Sequence, residues 1–134
     1  MKLVLHVDGG SRGNPGPAAI GVVVSAPDGE VVDEVAETIG VATNNVAEYK
    51  AVLRALERAR ELGADEVEVV NDSELVAKQL NGQYKVKHPA MRPLFLEAQA
   101  ALRQFAKAEI RTVRREHNAH ADSLVNAALD GARQ

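Results

Sequence analysis

Apolar residues in the first forty positions follow the pattern of β-strands separated by turns. Three short apolar runs are divided by clusters rich in Gly and Pro, and the segment Pro27-Asp28-Gly29 has the composition of a hairpin turn. Short connections between these strands indicate antiparallel pairing. The predicted strands span residues 3–8, 18–25 and 31–39.

From residue 46 onward the apolar positions change to helical spacing. Val52, Leu56 and Ala59 lie on one side of an amphipathic helix predicted over residues 46–62. Thr43 and the two asparagines after it supply the N-cap region, and Gly63 ends the helix. Further strands are predicted at residues 66–72 and 109–114, and further helices at residues 73–80, 93–106 and 121–132.

The predicted order of elements is βββαβααβα. Because helices separate the third, fourth and fifth strands, part of the sheet should be parallel. We therefore predict an α/β fold with a five-stranded mixed sheet, in which three antiparallel strands are followed by parallel ones, flanked by helices. Residues 1–134 are expected to form a single domain, because no linker, repeat or low-complexity segment interrupts the pattern.

Composition narrows the classes of function. The 134 residues are 46% apolar, enough for a real core, and they include no cysteine, which excludes disulfides and thiolate metal sites. A net charge of −3 argues against a general basic surface that coats nucleic acid. No apolar stretch approaches the ~20 residues that span a bilayer, and the N-terminus lacks a signal-peptide pattern. We expect a cytoplasmic monomer that does not bind a membrane.

Two aspartates directly follow predicted strands. Asp8 and Asp72 each end an apolar run, and in an open α/β sheet functional groups collect at the carboxyl ends of the strands. Taken singly, Asp8 could be a turn residue before Gly9, and Asp72 could be a helix N-cap. As a pair on neighbouring strand ends, they favour a functional site.

Two further carboxylates lie near the starts of predicted helices. Glu48 precedes Ala51 and Val52 by three and four positions, so its side chain should point with the apolar stripe toward the sheet. Burying an unpaired carboxylate costs several kcal/mol, so a compensating cation is expected. For both Glu48 and Asp122, the alternative is a solvated first-turn acid that the helix dipole stabilises.

Four carboxylates without cysteine suit a hard cation, Mg²⁺ or Mn²⁺. Two such ions about 4 Å apart would clamp the attacking and leaving oxygens of a phosphoryl displacement, so hydrolysis of a phosphodiester is the leading reaction class. His117 and His120 are three residues apart, a spacing that could bind zinc. We find no third soft ligand near them in the sequence and predict that both are exposed in a loop.

Four segments surround these acids: DGGSRGNPGP at residues 8–17, TNNVAE at 43–48, NDS at 71–73 and NAHAD at 118–122. Together and in this order they resemble the ribonuclease H type 1 family. The segments span nearly the whole chain, and their combination is specific although each piece alone is weak. A further stretch, GQYKVKHP at residues 82–89, is similar to a compact bacterial and archaeal branch that lacks the family's basic helical handle.

The resemblance implies a ribonuclease H-like fold and an endonuclease that hydrolyses the RNA strand of RNA–DNA hybrids. The reaction would use two Mg²⁺ or Mn²⁺ ions per site and leave 5′-phosphate and 3′-hydroxyl ends. By their positions in the motifs, the four acids would be both catalytic and metal-binding. Asp8 would bridge the two ions. Glu48 and Asp72 would bind one ion, and Asp122 would bind the other.

The resemblance also implies substrate-binding residues. Asn14, Asn44 and Asn45 match positions that read the minor groove of the hybrid, and short amides can both donate to and accept from 2′-hydroxyls. Thr43 matches a pocket for a phosphate of the DNA strand. The alternative is that residues 43–45 only cap a helix and that Asn14 only forms a turn.

Two departures from the family affect substrate grip and proton transfer. Without the basic handle, grip should depend on Lys85 and Lys87, with Tyr84 as a stacking platform. Many members carry a catalytic His in a flexible loop before the last Asp. Here that loop is shorter, and His117 falls next to the family's Asn. His117 is therefore only a candidate for proton transfer.

Two alternative functions stay open. The same chemistry could act on a wider range of substrates, such as double-stranded RNA, because the handle is absent. The domain could also bind nucleic acid without catalysis. The presence of all four acids argues against a binding module, because an uncompensated acidic cluster repels phosphates.

Overall fold

Five strands form one mixed sheet in the computed structural model, which describes residues 1–131. The first three strands are antiparallel neighbours, and the fourth and fifth run parallel to the first. The strands are β1 (Lys2–Ser11), β2 (Gly16–Ser25), β3 (Val31–Ala42), β4 (Glu66–Asn71) and β5 (Lys107–Thr112). Their order across the sheet is β3-β2-β1-β4-β5, which confirms the predicted mixed sheet and places β1 at its centre.

Four α-helices and a short 3-10 turn complete the fold, and the predicted order βββαβααβα is confirmed. The helices are α1 (Asn44–Glu61), α2 (Glu74–Leu80), α3 (Arg92–Leu102) and α4 (Ala119–Gly131), and the 3-10 turn is Arg115–Asn118. Thr43 begins α1 as its N-cap, and Gly63, with a φ of +87°, follows its last turn. None of the described helices is long and apolar enough to cross a membrane.

Residues 81–91 connect α2 to α3 through turns, and no helix is present in this segment. The expected lack of a helical handle is therefore confirmed. The connection is held to the domain by Val86 and Met91, which are buried in the main core. The residues between these two anchors are exposed.

Several element ends differ from the predictions, most of them by one to three residues. β1 continues past Asp8, because the two glycines that follow pair with β2 instead of turning away. α3 ends at Leu102 rather than at residue 106, because the chain turns there to enter β5. Phe105 is buried in that turn, so the apolar pattern correctly indicated its burial but not its conformation. The predicted end of the last helix, residue 132, lies outside the described residues.

The two faces of the sheet are covered by different helices. Alternate residues of β1, namely Leu3, Leu5 and Val7, face α1 and pack in the main core with its Val52 and Leu56. On the other face, α4 packs over β1, β2 and β3. The smaller cluster beneath α4 consists of Ala19, Val125 and Leu129.

Two glycines allow α1 and α4 to approach the sheet closely. A Cβ atom on Gly9 would lie 2.3 Å from the carbonyl carbon of Ala47 in α1. A Cβ atom on Gly21 would lie 2.4 Å from the carbonyl oxygen of Ala121 in α4. Because Gly21 pairs with Asp8 across β1 and β2, both helices reach the same short segment of the central strand.

Gly21→Ala should lower the free energy of unfolding by about 1–3 kcal/mol, because the added methyl group meets backbone atoms that can move only if α4 shifts. Urea unfolding followed by circular dichroism measures this change. Gly10→Ala is a matched control, since its Cβ would lie 3.5 Å from Val125 Cγ1, an ordinary contact. Equal stability of Gly21→Ala and the wild type would contradict the close approach.

Candidate active site

Three carboxylates converge at one edge of the sheet. Asp8 belongs to β1, Asp72 directly follows β4, and Glu48 lies in the second turn of α1 rather than the first, because the helix begins before residue 46. One oxygen of each side chain lies within 4.8 Å of the others. The parallel pairing of β1 with β4 ends at His6 and Val70, so Asp8 and Asp72 lie just beyond it. The structure thus brings together the two predicted aspartates, although Asp8 is inside a strand rather than at its end.

The three carboxylates are withdrawn from solvent. Asp8 is 6% exposed and Glu48 is 7% exposed, while Asp72 is half-buried. The backbone N–H of Gly9 donates a hydrogen bond to Glu48 Oε1 at 3.3 Å. Glu48 Oε2 and Asp72 Oδ2 are buried without a hydrogen-bond partner among the described residues. The alternative of a solvated Glu48 is therefore wrong, and the unpartnered oxygens are suitable ligands for a hard cation.

The structural alternatives for the two aspartates are also wrong. Asp8 is paired within the sheet and does not form a turn. The N-cap of α2 is Ser73, whose Oγ accepts a hydrogen bond from the backbone N–H of Val76 at 3.3 Å. Asp72 therefore does not cap α2, although its position in the sequence allowed that role.

Burial and mutual repulsion raise the pKa values of these acids. Burial, and then the charge of Asp72, raise the pKa of Asp8 to about 7. Burial, followed by the charges of Asp8 and Asp72, raises the pKa of Glu48 well above its usual value. Burial also raises the pKa of Asp72, an effect that the Arg115 guanidinium opposes. A divalent cation among the three carboxylates would relieve this repulsion.

Asp122 approaches the group from the helix on the other face of the sheet. It lies in the first turn of α4, is half-buried, and lines the same cavity of about 380 Å³ as the other three acids. After burial and Asp72, the proximity of Asp122 also helps to raise the pKa of Asp8. Asp122 is not in the set whose oxygens all lie within 4.8 Å of one another. Asp8, Glu48 and Asp72 therefore form a close group, and Asp122 lies next to this group in the same cavity.

Asparagine side chains organise the loop beside the acids. The backbone N–H of Ser11 donates to Asn44 Oδ1 at 2.9 Å, and the backbone N–H of Asn44 donates to Asn14 Oδ1 at 3.1 Å. Asn44 and Asn45 line the cavity, whereas Asn14 is exposed beside it. Thr43 Oγ1 accepts a hydrogen bond from a backbone N–H of α1 at 3.3 Å. The cap and turn interactions are thus present, and substrate contacts by these four residues stay predictions.

Two polar residues at the site were not predicted as site residues. Arg115 lines the carboxylate cavity beside Asp72. Asn118 is 1% exposed, and its Nδ2 donates a hydrogen bond to the carbonyl oxygen of Val7 at 2.8 Å. This bond ties the 3-10 turn to β1 and so holds Arg115 near the acids. Asn118 had a signal, since it opens the motif at residues 118–122, whereas Arg115 merely precedes Asp122 in the chain.

The predicted residues Tyr84, Lys85 and Lys87 lie on a separate depression of about 650 Å³, which Arg92 also lines. Tyr84 is 49% exposed, and the Lys78 ammonium lies 5.0 Å from the centroid of its ring. The structure does not bring these residues into the carboxylate cavity. We call Tyr84, Lys85, Lys87 and Arg92 the basic surface.

His117 does not line the carboxylate cavity. Its side chain borders a different depression, together with His6 and His120. The predicted exposure of His117 and His120 is confirmed, but their placement in a loop is wrong, because His117 lies in the 3-10 turn and His120 in the first turn of α4. The position of His117 offers no support for its candidate role in proton transfer, and Arg115 is the residue of the 3-10 turn that lines the cavity instead.

Comparison with known proteins identifies the family. A family model described as reverse transcriptase-like matches residues 6–128. The chain is 47% identical to the ribonuclease HI of Halobacterium salinarum over 127 residues, which cover 95% of this chain and 64% of that protein. The chain belongs to the ribonuclease H type 1 family.

Solved structures of ribonuclease H1 proteins share the fold of this ribonuclease H domain. The crystal structure of the Halobacterium salinarum protein matches it with a TM-score of 0.96 at 45% identity, covering 98% of this chain and 99% of that chain. LC11-RNase H1, solved in complex with an RNA/DNA hybrid, matches with a TM-score of 0.94 at 42% identity and the same coverage. The predicted ribonuclease H-like fold is confirmed.

The ribonuclease H domain corresponds to only part of some relatives. It is 48% identical over 135 aligned positions to the bifunctional protein Rv2228c of Mycobacterium tuberculosis, and the match covers all of this chain. The same match covers 37% of that protein. The chain therefore spans little more than a third of the length of this curated relative.

The metal-free ribonuclease H domain should lose stability as the pH rises. Asp8 has a pKa of about 7 in the folded protein and an ordinary value of 3.8, so its contribution to folding is fully present below pH 3.8 and is lost as the pH rises through 7. Between pH 5.5 and pH 8 the loss should be on the order of 2 kcal/mol. Thermal unfolding in EDTA at these two pH values measures it.

Added Mg²⁺ should raise the Tm of the domain more at pH 8 than at pH 5.5, because the ionised cluster binds the cation better. Asp8→Asn is the control for both measurements, since it removes one titrating group and its repulsion of Glu48 and should therefore reduce the pH dependence. A metal-free Tm that is higher at pH 8 than at pH 5.5 would argue against repulsion among the buried acids.

Proposed function

We propose that this ribonuclease H domain is a metal-dependent endonuclease that hydrolyses the RNA strand of RNA–DNA hybrids. The observation that supports it most is the group of Asp8, Glu48 and Asp72, which buries carboxylate oxygens without a hydrogen-bond partner in the part of the chain that the structure describes. Oxygens of this kind bind divalent cations. LC11-RNase H1, which is 42% identical to this chain, has been solved with an RNA/DNA hybrid. The products would carry 5′-phosphate and 3′-hydroxyl ends.

The four acids would hold two Mg²⁺ or Mn²⁺ ions. Asp8 would contact both ions. Glu48 and Asp72 would bind one ion, and Asp122 would bind the other. This division agrees with the tight group of three carboxylates and with the separate position of Asp122 on α4. When bound, the ions supply a nucleophilic water-derived oxygen at neutral pH and stabilise negative charge on the phosphate.

Arg115 would orient the scissile phosphate. It is a permanently charged donor beside Asp72, in a cavity lined by four acids, so it offers a place for a phosphate oxygen. Its planar guanidinium can contact two oxygens at once. Asn118 would act through Arg115, because its hydrogen bond to β1 positions the turn that carries the arginine.

The asparagine-rich loop would recognise the hybrid. Asn44 and Asn45 line the carboxylate cavity, where their amides can reach 2′-hydroxyls next to the cleavage point. The Oδ1 atoms of Asn14 and Asn44 accept backbone hydrogen bonds, which leaves their NH₂ groups as donors to the minor groove. Thr43, at the N-terminus of α1, would bind a phosphate of the DNA strand.

The basic surface would bind the nucleic acid at a position distant from the cleavage point. Lys85 and Lys87 are exposed and would contact phosphates, while the half-exposed ring of Tyr84 would stack on a base or sugar. The whole chain has a net charge of −3, so binding depends on this local concentration of positive charge rather than on overall attraction.

Substrate range separates the proposal from its two alternatives. A gel assay offers one labelled strand as an RNA–DNA, RNA–RNA or DNA–DNA duplex, with and without Mg²⁺. We expect cleavage of RNA in the hybrid alone, and only with Mg²⁺. Cleavage of the RNA–RNA duplex would indicate the wider substrate range. Binding without cleavage would indicate a binding module, in which the buried acids would destabilise the fold without serving catalysis.

Asp72→Asn should lower hybrid cleavage by at least about 10²–10³-fold, because the variant loses a charge that holds the cation. Its Tm should be unchanged or higher, because the substitution removes one of several repelling charges. Cleavage by the wild type should also stop in EDTA.

Glu74→Gln is the matched control, since Glu74 is an exposed acid two positions further along the chain. This variant should cleave like the wild type. Full activity of Asp72→Asn, or wild-type cleavage that survives EDTA, would overturn the metal-dependent mechanism.

Replacing Lys85 and Lys87 together by Ala should raise KM several-fold and leave kcat nearly unchanged, because the substitutions remove phosphate contacts without touching the acids. The slope of log KM against log salt should fall by roughly 1 for each lysine. Steady-state cleavage of the hybrid at several salt concentrations measures both quantities.

Arg103→Ala with Lys107→Ala is the control for this pair. It makes the same change in charge at the end of α3 and the start of β5, at the opposite end of the parallel strands from Asp72. The control should keep the wild-type salt slope. An unchanged KM and slope in the Lys85 and Lys87 variant would remove the basic surface from the substrate-binding site.

A further inference from the structure

The depression of the basic surface contains a buried amide. Gln79, in the last turn of α2, lines this depression and is 5% exposed. Lys85, Lys87 and Arg92 line it as well, and no carboxylate does so in the part of the chain that the structure describes. A buried amide costs free energy unless its polar groups find partners, so the partners of Gln79 indicate what the depression can bind.

Tyr49 fixes the orientation of the Gln79 amide. The Tyr49 hydroxyl group donates a hydrogen bond to Gln79 Oε1 at 2.6 Å inside the core. This distance is typical of an O–H···O bond and short for an N–H···O bond, so the amide oxygen faces Tyr49. Burial raises the pKa of Tyr49 to about 12, so the hydroxyl group keeps its proton at neutral pH. The NH₂ group of Gln79 therefore points away from Tyr49.

The NH₂ group of Gln79 is available as a donor at the depression. It makes no hydrogen bond to the described residues, and it is not among their fully buried polar atoms that lack a partner. It is therefore accessible, and Gln79 lines the depression. Because lysine and arginine side chains also only donate, the amide and the three cations together suit a ligand that accepts hydrogen bonds and is negatively charged.

Hydrogen bonds hold the backbone around Gln79 in place. The side chain of Gln99 in α3 donates to the carbonyl oxygen of Leu80 at 2.9 Å. The backbone N–H of Gln83 donates to the carbonyl oxygen of Lys78 at 2.8 Å, which turns the chain back toward the end of α2. The donor at the depression is thus fixed before any ligand binds.

We propose that this depression binds one phosphate group of the nucleic-acid backbone, with the Gln79 NH₂ group as a neutral donor that Tyr49 positions. A phosphodiester carries one negative charge and accepts hydrogen bonds through two oxygens, so it matches an amide among cations. Lysines attract phosphates at a distance, whereas the amide acts only on a group inside the depression. This inference rests on the proposed binding of RNA–DNA hybrids.

Fluorescence anisotropy of a labelled hybrid tests the phosphate site in the Asp72→Asn background, in which cleavage should be too slow to interfere. Gln79→Met keeps the length of the side chain but loses the donor, and should raise Kd at least about fivefold. The slope of log Kd against log salt should not change, because Gln79 is uncharged. If the substitution only distorted the basic surface, the slope would fall with the lost lysine contacts.

Tyr49→Phe separates positioning from direct contact. Tyr49 is fully buried and cannot touch nucleic acid, yet loss of its hydroxyl group should raise Kd several-fold because the amide can then turn. The same substitution should have no further effect on Kd in Gln79→Met. Gln104→Met is the matched control, since Gln104 is exposed and lines a different depression, between α1 and α3. It should bind the hybrid like its parent.

Hybrids with a single neutral methylphosphonate linkage, placed at successive positions in either strand, locate the bound phosphate. One position should weaken binding of the parent and have a smaller effect on Gln79→Met, and its strand identifies the source of the phosphate. If the parent binds the hybrid and both Gln79→Met and Tyr49→Phe keep its Kd, the phosphate site is overturned and the proposed function stands. A wild type that neither binds nor cuts the hybrid would overturn both.

Discussion

The close approach of two helices to the central strand is the constraint on which the site depends. Gly9 and Gly21 leave spaces that backbone atoms of α1 and α4 fill. The residues that follow these contacts in the two helices are Glu48 and Asp122, so the same packing brings both carboxylates toward Asp8. A side chain at either glycine would displace a helix and with it one of the acids. The packing of this domain and the geometry of its acidic cavity are therefore a single feature.

This arrangement places repelling charges inside a stable fold. Burial and then Asp72 raise the pKa of Asp8 to about 7, and Glu48 is affected in the same direction by burial and by its two neighbours. The apolar core between β1 and α1 holds the strands in place despite this repulsion. Cation binding would remove an unfavourable interaction that the fold alone cannot avoid, so folding stability and metal binding are coupled in this domain.

The polar surfaces of the domain are spatially separate. The carboxylate cavity, the basic surface and the depression bordered by His6, His117 and His120 have different lining residues. The first offers oxygen ligands, and the second offers positive charge with an aromatic ring. The 3-10 turn connects two of these places, since Arg115 lines the carboxylate cavity and His117 borders the depression of the three histidines. Its attachment to β1 through Asn118 therefore affects both.

Local signals in the sequence determined the order of the elements, the mixed sheet and the positions of the four acids, because apolar periodicity, turn residues and helix caps act within a few residues of each other. The continuation of β1 beyond Asp8 was not predictable in this way, since it depends on pairing with β2. The same holds for Arg115 beside Asp72 and for His6 beside His117. Only the tertiary structure decided these contacts, because each joins segments whose separation in the chain leaves no periodic pattern to connect them.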